Sequence, residues 1–302
     1  MKLNPTAFRI FLASLLTSWL CLSGAICTAQ WGGRDKILKD LEKQFGEPPG
    51  GVRLDPKNRV WADKKNKLLV VDGYVALRTG QLEMLACLVG TKEHESVVAV
   101  FSNAQTVHAG LLAIGADQGK PVKWDPYVPP SGSEIQVFAL WRDEEGNKKK
   151  IDTREWVRVV GTEDDTLATN WVFAGSMMWT DPDTGEQRYQ AESGDLICVS
   201  NFSTATLDVP IESMAVNSGL MFAAFTERIP KEGTPIRLVL QVLENSKSAD
   251  TRSSPSRVLG DDSEVQKTPD SKDSSDALQT GESTTDASDS FPSLERLLGT
   301  PN

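Results

Sequence analysis

Both histidines of this 302-residue chain fall in one short stretch, together with one of its four cysteines. The stretch begins Cys87-Leu-Val-Gly-Thr91-Lys92-Glu93-His94-Glu95-Ser96 and continues into Asn103-Ala-Gln-Thr-Val-His108. Two imidazoles with a thiolate from Cys87 or Cys198 would satisfy tetrahedral zinc. Cys87 with His94 or His108 is also the one thiol–imidazole dyad the chain offers for nucleophilic chemistry. The interval from His94 to His108 is not a standard ligand spacing. In an extended segment, Glu93 and Glu95 point one way and His94 the other, so they can share a ligand only if the chain turns. The plainer reading has His94 capping a strand end at the surface and His108 bonding a backbone carbonyl at the core edge.

Cys21 and Cys27 lie in an apolar leader, which leaves Cys87 and Cys198. In an oxidising compartment an even pair is usually a disulfide. Closing a loop of about 110 residues would contribute roughly 3–5 kcal/mol. Free buried thiols and metal or redox ligation are the other two readings. Two cysteines are too few for a four-thiolate iron–sulfur cluster; the sequence names no cofactor, and a divalent metal such as zinc is the one these residues could suggest.

Other catalytic patterns are incomplete. Ser96, Ser102, Ser176 and Ser200 are present, but no Gly-x-Ser-x-Gly turn carries them. Asp164, Asp165, Asp181 and Asp183 read as solvated turns rather than a hydrolytic carboxylate pair. No phosphate-cradling glycine loop precedes a helix. Trp124-Asp-Pro-Tyr127-Val-Pro-Pro130 is a proline-rich loop whose two aromatics could stack on a sugar or peptide. Glu93, Glu95, Trp124 and Tyr127 are therefore the candidate ligand contacts, although rigid packing of such a loop is the commoner outcome.

Residues 1–29 read as a secretory signal. Lys2 and Arg9 precede an apolar run from Ile10 to Ile26, and Cys27-Thr-Ala29 supplies small residues before Gln30. The competing reading is a retained anchor, since the run is of about bilayer-spanning length. Cleavage places the protein in the periplasm or cell envelope, or outside the cell, with no later transmembrane span. The whole-chain charge is −10, and the leader holds two basic residues and no acidic one, so the remainder carries −12. Residues 246–302 hold six Lys/Arg against eleven Asp/Glu and few apolar residues, the composition of a disordered acidic tail. Its end, Phe291-Pro-Ser-Leu294-Glu-Arg-Leu297-Leu298, restores helical apolar spacing and reads either as a frayed terminus or as a docking helix. Acidity without a basic stripe argues against nucleic-acid binding.

Between leader and tail, residues 30–67 read as a helix near 35–45, stopped by Gly46, and an irregular linker over 50–67. From Leu68 to Asn245 the pattern is mainly strands: 68–75, 82–89, 96–101, 135–142, 156–160, 171–173, 195–200, 220–225 and 236–243. The loops at 143–147 and 181–185 look like hairpin turns. One helix interrupts, near 103–116, with Ser102 and Gln105 as a capping box and Val107, Leu111 and Ile114 as its buried stripe. The fold class is α+β, with a predominantly antiparallel β domain.

Several segments together resemble the YdjY-domain family of bacterial exported proteins: Thr91-Lys-Glu-His-Glu-Ser96, His108-Ala-Gly-Leu-Leu, Trp171-Val-Phe-Ala-Gly-Ser176, Leu196-Ile-Cys-Val-Ser-Asn-Phe202 and Phe225-Thr-Glu-Arg-Ile-Pro230. The resemblance spans about residues 65–243 and implies no particular activity. The expectation is an exported, non-enzymatic β-rich module that binds a protein partner or a cell-envelope component such as a glycan. A metal or redox site built from His94, His108 and Cys87 or Cys198 is the alternative. An envelope-polymer hydrolase is a third.

Overall fold

The computed structural model describes residues 33–215, 219–244 and 296–297. Residues 1–29, expected to be a leader, and nearly all of the acidic tail lie outside the described residues. Helix α1 covers residues 33–45 and α2 covers Ala104–Ala113. The early strands are β1 (Val52–Arg53), β2 (Val60–Asp63), β3 (Leu68–Val75), β4 (Met84–Leu88), β5 (Ser96–Val100), β6 (Lys123–Trp124), β7 (Tyr127–Val128) and β8 (Glu134–Arg142). They are followed by β9 (Lys148–Asp152), β10 (Val157–Val159), β11 (Trp171–Val172), β12 (Met178–Thr180), β13 (Gln187–Tyr189), β14 (Ile197–Cys198), β15 (Phe222–Ala224) and β16 (Pro235–Val242).

A ten-stranded sheet runs in the order β11-β8-β16-β3-β5-β4-β14, with β1 and β2 added along β3 and β9 along β8. Of its pairings only β4 with β5 is parallel. The α+β, mainly antiparallel reading therefore holds. Alternation along the central strands divides the sheet into two faces. Leu69, Val71 and Val75 of β3 join Ile236, Leu238 and Leu240 of β16 in the larger core. Helix α2 packs there through Val107 and Leu111. Its first turn is capped by Asn103, whose side chain accepts the Thr106 N–H at 2.7 Å. Ser102 instead donates to the Asn103 carbonyl, so the expected Ser102–Gln105 capping box does not form.

The other face holds Asp72, Tyr74 and Arg237, with α1 lying over it. Leu41 and Phe45 of α1 are buried, and the helix ends where Gly46 takes a positive φ of 58°. Asp72 is fully buried and accepts from four donors. Arg237 Nε and Nη2 approach at 2.7 and 3.1 Å, and Arg59 Nε and Nη2 at 2.9 and 2.7 Å. The Arg237 guanidinium also lies over the rings of Phe45 (4.8 Å) and Trp61 (5.3 Å).

Two sequence expectations change here. The 50–67 segment is not wholly a linker: β1 and β2 pair with each other, β2 extends the sheet along β3, and Trp61 is fully buried. The far end of the acidic tail also contributes to the fold. Leu297 is buried, and its carbonyl accepts from Arg237 Nη1 at 2.8 Å. A charge-rich stretch can still carry one apolar side chain to a waiting buried donor, and composition averages conceal that.

Candidate functional site

The block that dominated the sequence serves mainly to fold the chain. β4 and β5 are parallel neighbours, yet only residues 89–95 connect them. So short a crossover must return close against the strand it has just left. Its side chains staple that return: Gly90 N–H donates to Glu93 Oε1 (2.7 Å), Thr91 Oγ1 to the Leu88 carbonyl (2.6 Å) and Ser96 Oγ to the Lys92 carbonyl (2.8 Å). Arg34 of α1 grips Glu93 at 3.1 Å. Lys92 spans Asp195 (2.8 Å) and Glu95 (3.6 Å). Glu93-His94-Glu95 is one turn of 3-10 helix rather than a strand, and the His94 side chain is 77% exposed, 3.8 Å from Glu95.

Cys87 lies under this crossover, bordered by Ser96, Thr91 and Lys92. It shares a small apolar cluster with Cys198, Tyr74, Met84, Ala99 and Ala205. The sequence favoured a Cys87–Cys198 disulfide; the structure places both in one cluster as free thiols, which matches the alternative of buried thiols instead. Strict alternation fails along β4: Met84 joins Cys87 in this cluster while Leu85 and Ala86 both join the larger core, at the place where the register shifts against β14. Burial pushes both thiols up, Cys198 most strongly. Neither is then a ready thiolate. Iodoacetamide at pH 8 is expected to leave both unmodified in the native protein and to alkylate both in denaturant, read by intact mass. Rapid native alkylation, or no alkylation in denaturant, would contradict this burial and bonding state.

His108 is placed elsewhere. It leaves α2 toward Tyr189, with Nδ1 2.8 Å from the phenol oxygen, and its ring meets Phe173 edge-on at 4.9 Å. Tyr189 donates its one proton to the Gly175 carbonyl at 3.1 Å. When Tyr189 gives that proton to Gly175 rather than to Thr206 (3.2 Å) or His108, Nδ1 of His108 is the donor to Tyr189 and Nε2 an acceptor. Burial lowers the His108 pKa, against a smaller raising effect of the Gly175 carbonyl, so the ring is neutral at neutral pH. Burial likewise pushes the Tyr189 phenol up to about 12, with Thr206 and Ser176 pulling the other way.

Ser176 adjoins this pair in an unusual state. It has a positive φ of 54°, sparsely populated for a residue with a Cβ. Its N–H donates to the Ala205 carbonyl at 2.8 Å, which fixes that turn. Its hydroxyl is buried with no hydrogen-bond partner, close to the Tyr189 phenol but without bonding geometry. Gly175 precedes it at φ 85°, and the Gln118 side chain lies where a Cβ would stand, 2.2 Å from its Cγ. Gln105, His108, Gln118, Ser176, Met178 and Tyr189 line a cleft of about 460 Å³. Met177, Met178 and Trp179 remain 42–53% exposed at this part of the chain.

Residues 60–241 match the family model described as the YdjY domain, well over half of the chain. This chain belongs to the YdjY-domain family. No curated protein matches it, and no solved structure does. The YdjY domain as matched runs from β2 into β16, so it holds both the Cys87 crossover and the His108 cleft. Helix α1 and Leu297 lie outside it.

The YdjY domain does not bring the expected metal set together. His94 is solvated, His108 is engaged by Tyr189, and the thiols sit in an apolar cluster; among the described residues no three His, Cys, Asp or Glu side chains form a metal-binding group. Glu93 and Glu95 are occupied within their own turn. Trp124 and Tyr127 face each other across the β6–β7 ribbon, centroids 5.7 Å apart, with Trp124 44% exposed. Among the described residues no helix is long and apolar enough to cross a membrane.

Sequence reasoning named His108 but missed Tyr189, Gln105 and Gln118, and listed Ser176 only as one serine of many. One local signal was available. Met177-Met178-Trp179 is a run of large apolar residues leading into the 181–185 turn, and such runs are normally buried.

Proposed function

We propose that this chain is an exported, non-enzymatic binding module whose recognition site is the cleft between α2 and the 174–179 segment, and that its ligand is a segment of a partner protein. The observation that carries the reading is the Ser176 hydroxyl: buried, unpartnered and held at a strained φ on the wall of a cleft with exposed methionines. Strain and an unsatisfied buried polar group each cost free energy, and both persist most often at functional positions. A ligand hydrogen bond to Ser176 Oγ, with another to His108 Nε2, would satisfy the polar wall. Met177 and Met178 offer adaptable apolar contact of the kind used at protein-binding surfaces. The cleft volume falls within the range of ordinary ligand pockets. The leader over residues 1–29 supports export.

A random peptide library selected on the immobilised protein is expected to yield apolar peptides with one or more polar anchors. Met178→Glu should weaken them at least tenfold, on the order of 1.4 kcal/mol, while Glu145→Ala on the distant 143–147 loop leaves them unchanged. Selected peptides that bind the Met178→Glu variant as well as they bind the parent would contradict the assignment.

A further inference from the structure

On the α1 face, a second site of quite different construction is already filled. Arg237 is fully buried and its guanidinium is surrounded. Nε and Nη2 hold Asp72, Nη2 also donates to the Gly46 carbonyl at 2.7 Å, and the rings of Phe45 and Trp61 lie against it. One direction remains, and there Nη1 donates to the main-chain carbonyl of Leu297 at 2.8 Å. The Leu297 side chain is itself 6% exposed. A buried arginine thus has its Nη1 met by the carbonyl of a residue sixty positions away, beyond an acidic and polar stretch.

We infer that the groove formed by Phe45, Gly46, Trp61 and Arg237 is a peptide-binding site, and that its ligand is the leucine-bearing C-terminal segment of the same chain, bound in cis. The recognition has two parts. Arg237 reads a backbone carbonyl through a charge-assisted bond, which is stronger than a neutral one. The Leu297 side chain is buried where its carbonyl meets Arg237, and that burial supplies an apolar contribution. The connector between Glu244 and Arg296 is about fifty residues long, so the segment is presented at an effective concentration that a free peptide must exceed. Empty, the groove would leave a buried guanidinium N–H without an acceptor, which is costly. Occupancy therefore stabilises the whole sheet through Asp72 and Arg237. This site is independent of the His108 cleft and shares no residue with it.

The full-length chain carrying Leu297→Asp tests this. Its Tm is expected to fall by several degrees. A synthetic peptide of residues 291–302, added at roughly millimolar concentration, should restore at least half of the loss. The same peptide with the Asp substitution should restore none. Leu297→Ala, a milder change, should lie between the two and serves where the Asp variant does not fold. A variant Tm within about 1 °C of the parent, or equal rescue by both peptides, overturns the assignment. Size-exclusion chromatography separates cis from trans: a parent protein that self-associates, with association lost in Leu297→Ala, would give the segment to a second copy and overturn the cis site.

Discussion

Asp72→Ala is expected to lower the unfolding free energy by about 3–5 kcal/mol, the usual cost of removing one partner from a buried ion pair. Asp72 is fully buried on β3, and two guanidinium groups converge on it from β16 and from the turn before β2. Removing the carboxylate strands Arg237, which is 0% exposed, and leaves Arg59 at 11% without its partner. Coulomb attraction alone does not set this magnitude. The larger part is the cost of a charge left in an apolar, aromatic setting between Phe45 and Trp61, where water cannot replace the lost acceptor. Urea unfolding gives the readout: the midpoint should fall with little change in slope. Asp72→Asn, which keeps the shape and loses the charge, should lose most of the same amount. A loss of unfolding free energy under about 0.5 kcal/mol, the scale of ordinary surface changes, would show that the cluster is not the electrostatic centre of the sheet.

The second large effect is a pH dependence centred on Asp208. This carboxyl is completely buried and accepts from Val209 N–H (2.8 Å), Asn201 Nδ2 (3.0 Å) and Phe202 N–H (3.3 Å). Those donors favour the ionised form, but burial outweighs them and the pKa is pushed up from 3.8 to about 7. The folded state therefore holds this proton more tightly than the unfolded chain does. The resulting stabilisation is fully present below about 3.8 and is lost as pH rises through about 7. Its full span is on the order of 4 kcal/mol. Asp208→Asn removes the titration, so the difference between parent and variant stabilities should narrow or reverse in sign progressively from pH 4 to pH 7.5. A difference that stays constant over that range would contradict the assignment of the dependence to Asp208. Other carboxyls shift the opposite way, Asp152 through Arg154 and Gln136 among them, so the parent's total curve combines both signs. The variant comparison isolates one.

How much of this was legible depended on whether the determining partner was local. Strands β3, β8 and β16 could be read almost to the residue, because their apolar runs are long and flanked by turn signals. Helix α2 could be read from its stripe, though the cap was misplaced by one residue: Ser102 and Asn103 are both competent caps, and only the backbone turn chooses between them. β1 and β12 were missed because they are two or three residues long, with no room for a periodicity. β9 was missed because Lys148-Lys-Lys150 is exposed, and its strand character comes from pairing with β8. The Asp72–Arg237 pair joins residues 165 apart, each in an apolar strand, and nothing in either strand announces the other.

The candidate site divides in the same way. Cys87 and His94 drew attention by rarity. His94 lies in a short crossover whose polar residues are spent on closing it, and Cys87 lies in β4 beneath it. His108 stood out by residue type, but its surroundings are set by Tyr189, 81 positions later, and by the Gly175-Ser176 turn. A positive φ at a serine is fixed by tertiary packing, here the bond to Ala205, and has no signature in the residue itself.

The cleft proposal is tested most directly by site-specific photo-crosslinking in cells producing the protein, with a photoactivatable residue placed at Met178 and, separately, at Glu145. A discrete protein adduct is expected from position 178 and none from position 145, with the 178 adduct lost when Ser176→Leu fills the polar wall of the cleft. No adduct at 178, equal adducts at both positions, or an adduct that survives Ser176→Leu unchanged would contradict it.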